Sequence, residues 1–178
     1  MSAAQPIATP RLATPRLETH TISLFVNNKP GVLVRVALVF SRRAFNIESL
    51  VVSPGAEGRF SRMTITCSGA PEVLQQVVKQ LAKLVDVVHA IDHTGDLAFE
   101  TEIALLKLET PLDQRTQILQ IAEHFKARVV DYGTKALILQ VYGSSDKLDA
   151  FIDLLRPFGL AELVRSGKLL MARGERIT

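Results

Sequence analysis

The chain has 178 residues, 47% of them apolar, and carries 21 Lys and Arg against 18 Asp and Glu for a formal net charge of +3. That length holds one large or two small domains with apolar material for a real core. No apolar run approaches the ~18 residues of a membrane span. The single Cys67 excludes an internal disulfide framework and a cysteine zinc cluster, and a chain with no Trp and 6% aromatic residues argues against nucleic-acid stacking platforms.

Residues 1–19 read as an extension. Ala8-Thr-Pro-Arg-Leu12 repeats at once as Ala13-Thr-Pro-Arg-Leu17, and Pro6, Pro10 and Pro15 prevent a continuous helix. It has no apolar segment of the secretory type. It is basic and poor in acids, which leaves a transit peptide open, but a disordered extension fits better.

Residues 20–95 follow the order β-α-β-β-α-β. Ile22, Leu24 and Val26 alternate as a strand, and Asn27-Asn28-Lys29-Pro30-Gly31 is turn chemistry. Leu33, Val36, Ala37 and Phe40 then fall at i, i+3, i+4 and i+7, the expected core stripe of a helix. Asn46 marks the exit and Ile47 to Val52 is a strand. Ser53 to Gly58 is a loop and Phe60 to Cys67 a strand. Pro71 opens a second helix striped by Leu74, Val77, Val78 and Leu81, and Leu84 to Ile91 is a further strand.

The turn carries the candidate binding chemistry. Pro30 sits at the helix mouth, where its missing N–H costs nothing. Gly31 lets another molecule approach the backbone. The N–H groups of Gly31, Val32 and Leu33 have no partner within the helix and lie at its positive end, a ready seat for a carboxylate or phosphate. The amides of Asn28 and Asn46 both donate and accept, which suits an amino-acid zwitterion. The same residues, taken alone, also make a plain capped helix start.

His93-Thr-Gly-Asp96 is a polar break and the expected domain boundary. Residues 96–178 repeat the element order: a strand at Ile103–Leu108, a helix striped by Ile118, Ile121, Ala122 and Phe125, strands at 127–132 and 136–142, a helix striped by Leu148, Phe151, Ile152 and Leu155, and one or two strands at 160–164 and 169–172. The link Glu109-Thr-Pro-Leu112 has neither glycine nor asparagine, so this half has the elements without the turn. The fold class expected is α+β, two tandem ferredoxin-like βαββαβ domains.

Catalytic residues are not expected. His89 and His93 are four apart, but on a strand and its exit rather than a helix face, and no carboxylate motif accompanies them. No phosphate loop, nucleophile elbow or dinucleotide fingerprint is present, so neither a metal nor a cofactor is expected in this chain. Cys67 lies in an apolar strand as a small hydrophobe. Arg62 lies within a strand and either binds an anion or a partner's carboxylate, or faces solvent. Arg35, Arg42 and Arg43 read as a solvated helix face.

Three ordered motifs carry a resemblance. Asn28-Lys-Pro-Gly-Val-Leu33, followed by Arg35-Val36 and Asn46-Ile47, resembles the amino-acid-binding ACT domain. Asn46-Ile-Glu-Ser-Leu50, Ser61-Arg-Met-Thr-Ile65 and Gln80 to Val87 together resemble the small regulatory subunit of acetohydroxyacid synthase (acetolactate synthase), over about His20 to Arg173. One departure is Ala44, where the family usually has glycine; if the backbone there is left-handed, alanine costs up to about 1 kcal/mol.

The resemblance implies an ACT domain over residues 20–95 and a regulatory-subunit domain over 96–178. It implies a cytoplasmic, non-catalytic partner of a large subunit that carries thiamine diphosphate, magnesium and FAD and condenses pyruvate with a second 2-oxo acid in branched-chain amino-acid biosynthesis. This chain would stimulate that subunit and confer feedback by valine or a related amino acid such as isoleucine. Valine would bind at Asn28, Gly31, Val32, Leu33, Asn46 and Ile47, at the interface of a homodimer, with Val32 and Ile47 meeting its side chain. The alternative is an amino-acid-responsive regulator of another enzyme or of transcription, which needs a DNA-reading helix that neither helix pair supplies.

Overall fold

A computed structural model describes residues 18–178. The extension expected over residues 1–19 lies outside the described residues except for Glu18 and Thr19, which already belong to the first strand.

The first domain runs β1 (Glu18–Asn27), α1 (Val32–Arg42), β2 (Ile47–Pro54), β3 (Phe60–Gly69), α2 (Pro71–Leu81) and β4 (Val87–Asp92). Its strands form one sheet in the order β2-β3-β1-β4 with antiparallel neighbours. Ile22, Leu24 and Val26 alternate with Ser23 and Phe25 and share one strongly apolar sheet face, on which α1 and α2 bury their stripes. The α1 stripe is Val32, Val36, Val39 and Phe40. Leu33, expected in the core, is 41% exposed. Eight of the nine residues from Val32 to Phe40 are apolar, so periodicity alone fixed no unique face; Val36 and Phe40 pack as expected, and Val32 and Val39 join them in place of Leu33.

The second domain runs β5 (Ala98–Glu109), α3 (Arg115–His124), β6 (Arg128–Tyr132), β7 (Ala136–Gly143), α4 (Ser145–Leu155), β8 (Leu160–Arg165) and β9 (Leu169–Ala172). Its sheet order is β6-β7-β5-β8, with β9 paired to the start of β5. β5 begins five residues before the expected Ile103. Ala98–Thr101 pairs β9, while the remainder pairs β7 and β8. Ala104, Leu106 and Leu108 of β5 pack with α3 and α4 in a separate core. The chain is therefore two tandem βαββαβ units, the second with an added strand.

The expected polar break is a turn pinned to β1. The His93 N–H donates to the Thr21 carbonyl at 2.8 Å, and His93 itself is buried. The β5–β9 ribbon lies over the face of the first sheet that carries no helix. A Cβ on Gly167 would come within 3.0 Å of the Ser49 Cβ, and Lys168 bonds both Glu100 at 2.8 Å and Thr21 at 3.5 Å. Ser23, Thr64 and Thr66 of that face are buried in consequence. Glu102, also buried, accepts from two nitrogens of Arg165 and from Ser145. Burial works against the Arg165 charge, but the hydrogen bonds and charges of Glu102 and Asp149 outweigh it and hold its pKa above the ordinary value.

Candidate functional site

The β1–α1 turn is built by its neighbours. The Asn27 N–H donates to the Asp86 carbonyl at 2.8 Å and the Asn28 N–H to the Arg59 carbonyl at 3.0 Å. The Asn28 side-chain amide donates to the Gly58 carbonyl at 2.9 Å, so one donor of that amide holds the β2–β3 loop. Gly31 is the N-cap of α1 with φ +81°, and no side chain caps the helix. A Cβ there would meet nothing closer than Arg35 Nη1 at 3.7 Å. Glycine is needed for the left-handed backbone, then, and the space beside it is open.

Among the described residues, the Gly31 and Leu33 N–H groups have no backbone partner, and the Val32 N–H reaches the Lys29 carbonyl only at 3.5 Å. Two to three donors thus point out of the helix mouth beside the Arg35 guanidinium. Arg35 lies on the exposed helix face as expected, its side chain 48% exposed. It pairs with Asp86, whose side chain is 15% exposed. Its signal in the sequence was its place one turn after Gly31, which sets it over the mouth.

Val32 contributes only its backbone, because its side chain is buried in the core at 3% exposure. Leu33 is the aliphatic side chain left at the mouth. Asn46 and Ile47 lie beyond the opposite end of α1, about 16 Å away for an 11-residue helix. There they line a shallow depression with Ala37, Phe40 and Ala44. Within one chain the six expected residues therefore fall into two separate groups, one at each end of α1.

The helix exit is a Schellman motif. The Ala44 N–H donates to the Ser41 carbonyl at 3.0 Å and the Phe45 N–H to the Phe40 carbonyl at 3.1 Å. Ala44 occupies the left-handed position with φ +55°, as the departure from glycine implied. Phe45 then lies flat against Gly69, where a Cβ would fall 2.1 Å from its ring.

The second domain fills the equivalent mouth. Arg115 opens α3, is 1% exposed, and places its guanidinium over the Tyr132 ring at 4.7 Å. It donates to the carbonyls of Gly133 at 2.7 Å, Thr134 at 3.0 Å and Thr110 at 3.4 Å, and its Nε is buried without a partner. A cation at a helix N-terminus opposes the dipole; the three carbonyls offset that and leave no seat for an anion.

The buried cysteine and histidines of the first domain are held within its packing. Burial, with smaller contributions from Glu48 and Asp92, pushes the Cys67 thiol up to about 11, which leaves it inert. His20 bonds Thr94 at 3.1 Å and the Gly69 carbonyl at 3.2 Å. Ser23, His93 and Asp96 stand in relay order, with Ser23 Oγ to His93 Nε2 at 2.8 Å and His93 Nδ1 to Asp96 at 3.4 Å. Ser23 is 0% exposed, so no substrate reaches it. Among the described residues no three His, Cys, Asp or Glu are grouped to hold a metal, and no helix is long and apolar enough to cross a membrane.

Comparison with known proteins matches the two halves separately. Residues 22–89 match a family model described as the AHAS small subunit-like ACT domain, and residues 101–174 match one described as the small subunit of acetolactate synthase. A relative from Archaeoglobus fulgidus is 44% identical over 157 residues, 88% of this chain and 98% of its own. The acetolactate synthase small subunit of Mycobacterium leprae is 41% identical over 160 residues, 90% of this chain and 95% of its own. The crystal structure of the acetolactate synthase small subunit from Thermotoga maritima superposes with a TM-score of 0.79 at 33% identity, covering 89% of this chain and 99% of that one.

Proposed function

The chain belongs to the family of acetolactate synthase small subunits, and from that premise we propose that it binds valine at the Gly31 turn and transmits the binding to a large catalytic subunit. It stimulates that subunit and makes it sensitive to feedback. Thiamine diphosphate, magnesium and FAD belong to the large subunit, and this chain supplies no reacting group.

The observation that carries the reading is the contrast between the two mouths. The Gly31 turn leaves donors open beside Arg35, whereas Arg115 closes the corresponding place in the second domain. A small carboxylate is received by the first and excluded by the second. The ammonium is taken by amide oxygens of Asn28 and Asn46. Because Asn46 and Ile47 lie one helix length from Gly31, the complete site forms between two copies related by a two-fold axis, each giving one half-site to the other. Leu33, Val34 and Leu38, all more than 40% exposed on α1, and the free edge of β2 support that pairing. The second domain then meets the large subunit or braces the dimer.

The test is acetolactate formation by the large subunit with and without this chain, at rising valine. The expected outcome is higher turnover on adding the chain and loss of that gain with valine. Turnover unaffected by the chain overturns the reading. Sedimentation that gives a monomer at micromolar concentration, with and without valine, overturns the shared site.

A further inference from the structure

A cavity of about 370 Å³ opens between the two domains, on the face of the first sheet away from its helices. Its walls follow from strand register. On one side, the pairs Val51–Thr64 and Ser53–Arg62 put their side chains on a common face of β2 and β3. On the other, Thr101–Leu169 and Phe99–Met171 do the same for the β5–β9 ribbon. The first wall is polar around one cation. The second is apolar and open, with Phe99 56% and Met171 66% exposed.

Arg62 is the only charged residue in the lining. It is half-buried, and its guanidinium lies 5.7 Å from the Phe25 ring centroid. Among the described residues no carboxylate pairs with it, and residues 1–17 contain no Asp or Glu. Arg35, Arg156 and Arg165 each hold a carboxylate, and Arg115 holds three carbonyls. Arg62 presents its donors to a cavity with one apolar wall and no carboxylate in its lining, and a guanidinium matches a carboxylate in a two-point fork.

We propose that this cavity binds a short monocarboxylate with a compact apolar tail and no ammonium group. Arg62 takes the carboxylate, the hydroxyls of Ser53 and Thr64 take any further polar atom, and the tail lies on Phe99, Leu169 and Met171. No acidic side chain lines the cavity, so an ammonium would meet only the Arg62 charge, and amino acids are rejected in favour of plain acids. The volume is at the small end of the roughly 300–1,000 Å³ of ligand pockets, which suits a short tail. The ligand touches β2 and β3 of one domain and β5 and β9 of the other. Its affinity therefore depends on how the domains sit together, and its binding stabilises that arrangement. This site is separate from the Gly31 turn and does not rest on it.

Isovalerate, titrated into the full chain by calorimetry, is the probe, with 3-methylbutan-1-ol as its uncharged counterpart and valine as its amino counterpart. The expected result is saturable isovalerate binding in the millimolar range or tighter, with the alcohol at least about tenfold weaker and, in Gly31→Asp, where the turn no longer takes valine, valine weaker by as much, the loss of a charged pair being of that order. Arg62→Gln weakens isovalerate at least tenfold on the same grounds, and Thr101→Glu, which sets a carboxylate opposite Arg62, abolishes binding. Gly31→Asp leaves it unchanged. No saturable binding, equal binding of acid and alcohol, equal affinity in a folded Arg62→Gln chain, or loss in Gly31→Asp each overturns the proposal. The acid–alcohol comparison on the unaltered chain saturated with valine, which fills the turn, decides it if a variant does not fold.

Discussion

Replacing Arg115 with methionine removes the cation and keeps a stem of similar length. Three carbonyls lose their donors, two of them at 3.0 Å or less. A hydrogen bond to a charged group contributes about 1.5–3 kcal/mol, so the two short ones represent roughly 3–6 kcal/mol. Relief of the buried charge and of the partnerless Nε, and water at the Gly133 and Thr134 carbonyls, return part of that. The net expectation is a loss of about 2–4 kcal/mol from the second domain. At about 2–4 °C per kcal/mol for a chain of this size, the midpoint falls by roughly 4–16 °C. The assay is built in: the chain has no Trp and two Tyr, and both, Tyr132 and Tyr142, lie in the second domain. Tyrosine fluorescence in a denaturant series therefore reports that domain alone. A change below about 0.5 kcal/mol would mean that Arg115 is replaceable packing and that its carbonyl clamp does not hold the hairpin.

Three further predictions concern the first domain. Ala44→Gly relieves a left-handed alanine and raises stability by about 1 kcal/mol in denaturant unfolding. Gly69→Ala drives a Cβ into the Phe45 ring and costs about 1–3 kcal/mol, read as a lower midpoint. Cys67 resists thiol reagents at pH 8 in the folded chain and reacts on unfolding. Its folded pKa is raised from 9.0 to about 11, so the native state binds the proton more tightly; its contribution to stability is full below pH 9 and declines as pH rises through 11. Cys67→Ala removes that decline.

The element order and the core of both halves were legible because alternation and helical stripes are local signals. The α2 stripe of Leu74, Val77 and Leu81 packs as read. In the α1 stripe Val36 and Phe40 pack as read but Leu33 does not, because a helix apolar nearly all round gives no unique face, and its outward Leu33, Val34 and Leu38 are the residues that packing within one chain leaves over. The start of β5 was hidden by Glu100 and Glu102, whose charges are neutralised by Lys168 and Arg165 more than 60 residues away. Arg115 gave no signal in the sequence, since two of its three carbonyl partners, Gly133 and Thr134, lie in the β6–β7 hairpin. The turn donors were legible from Pro30 and Gly31 alone. That the turn lies a helix length from Asn46 was also implicit in the sequence, and it is why the site proposed above draws on two chains.

Calorimetry of valine against the intact chain, Gly31→Asn and Gly31→Asp tests the central claim most directly. Asn and Asp have nearly the same shape and both tolerate positive φ, so the pair separates backbone strain from charge. Valine is expected to bind the intact chain, to bind Gly31→Asn more weakly, and to show no measurable binding to Gly31→Asp, where a carboxylate occupies the anion's place. Equal valine affinity for folded Gly31→Asp and the intact chain would contradict the account.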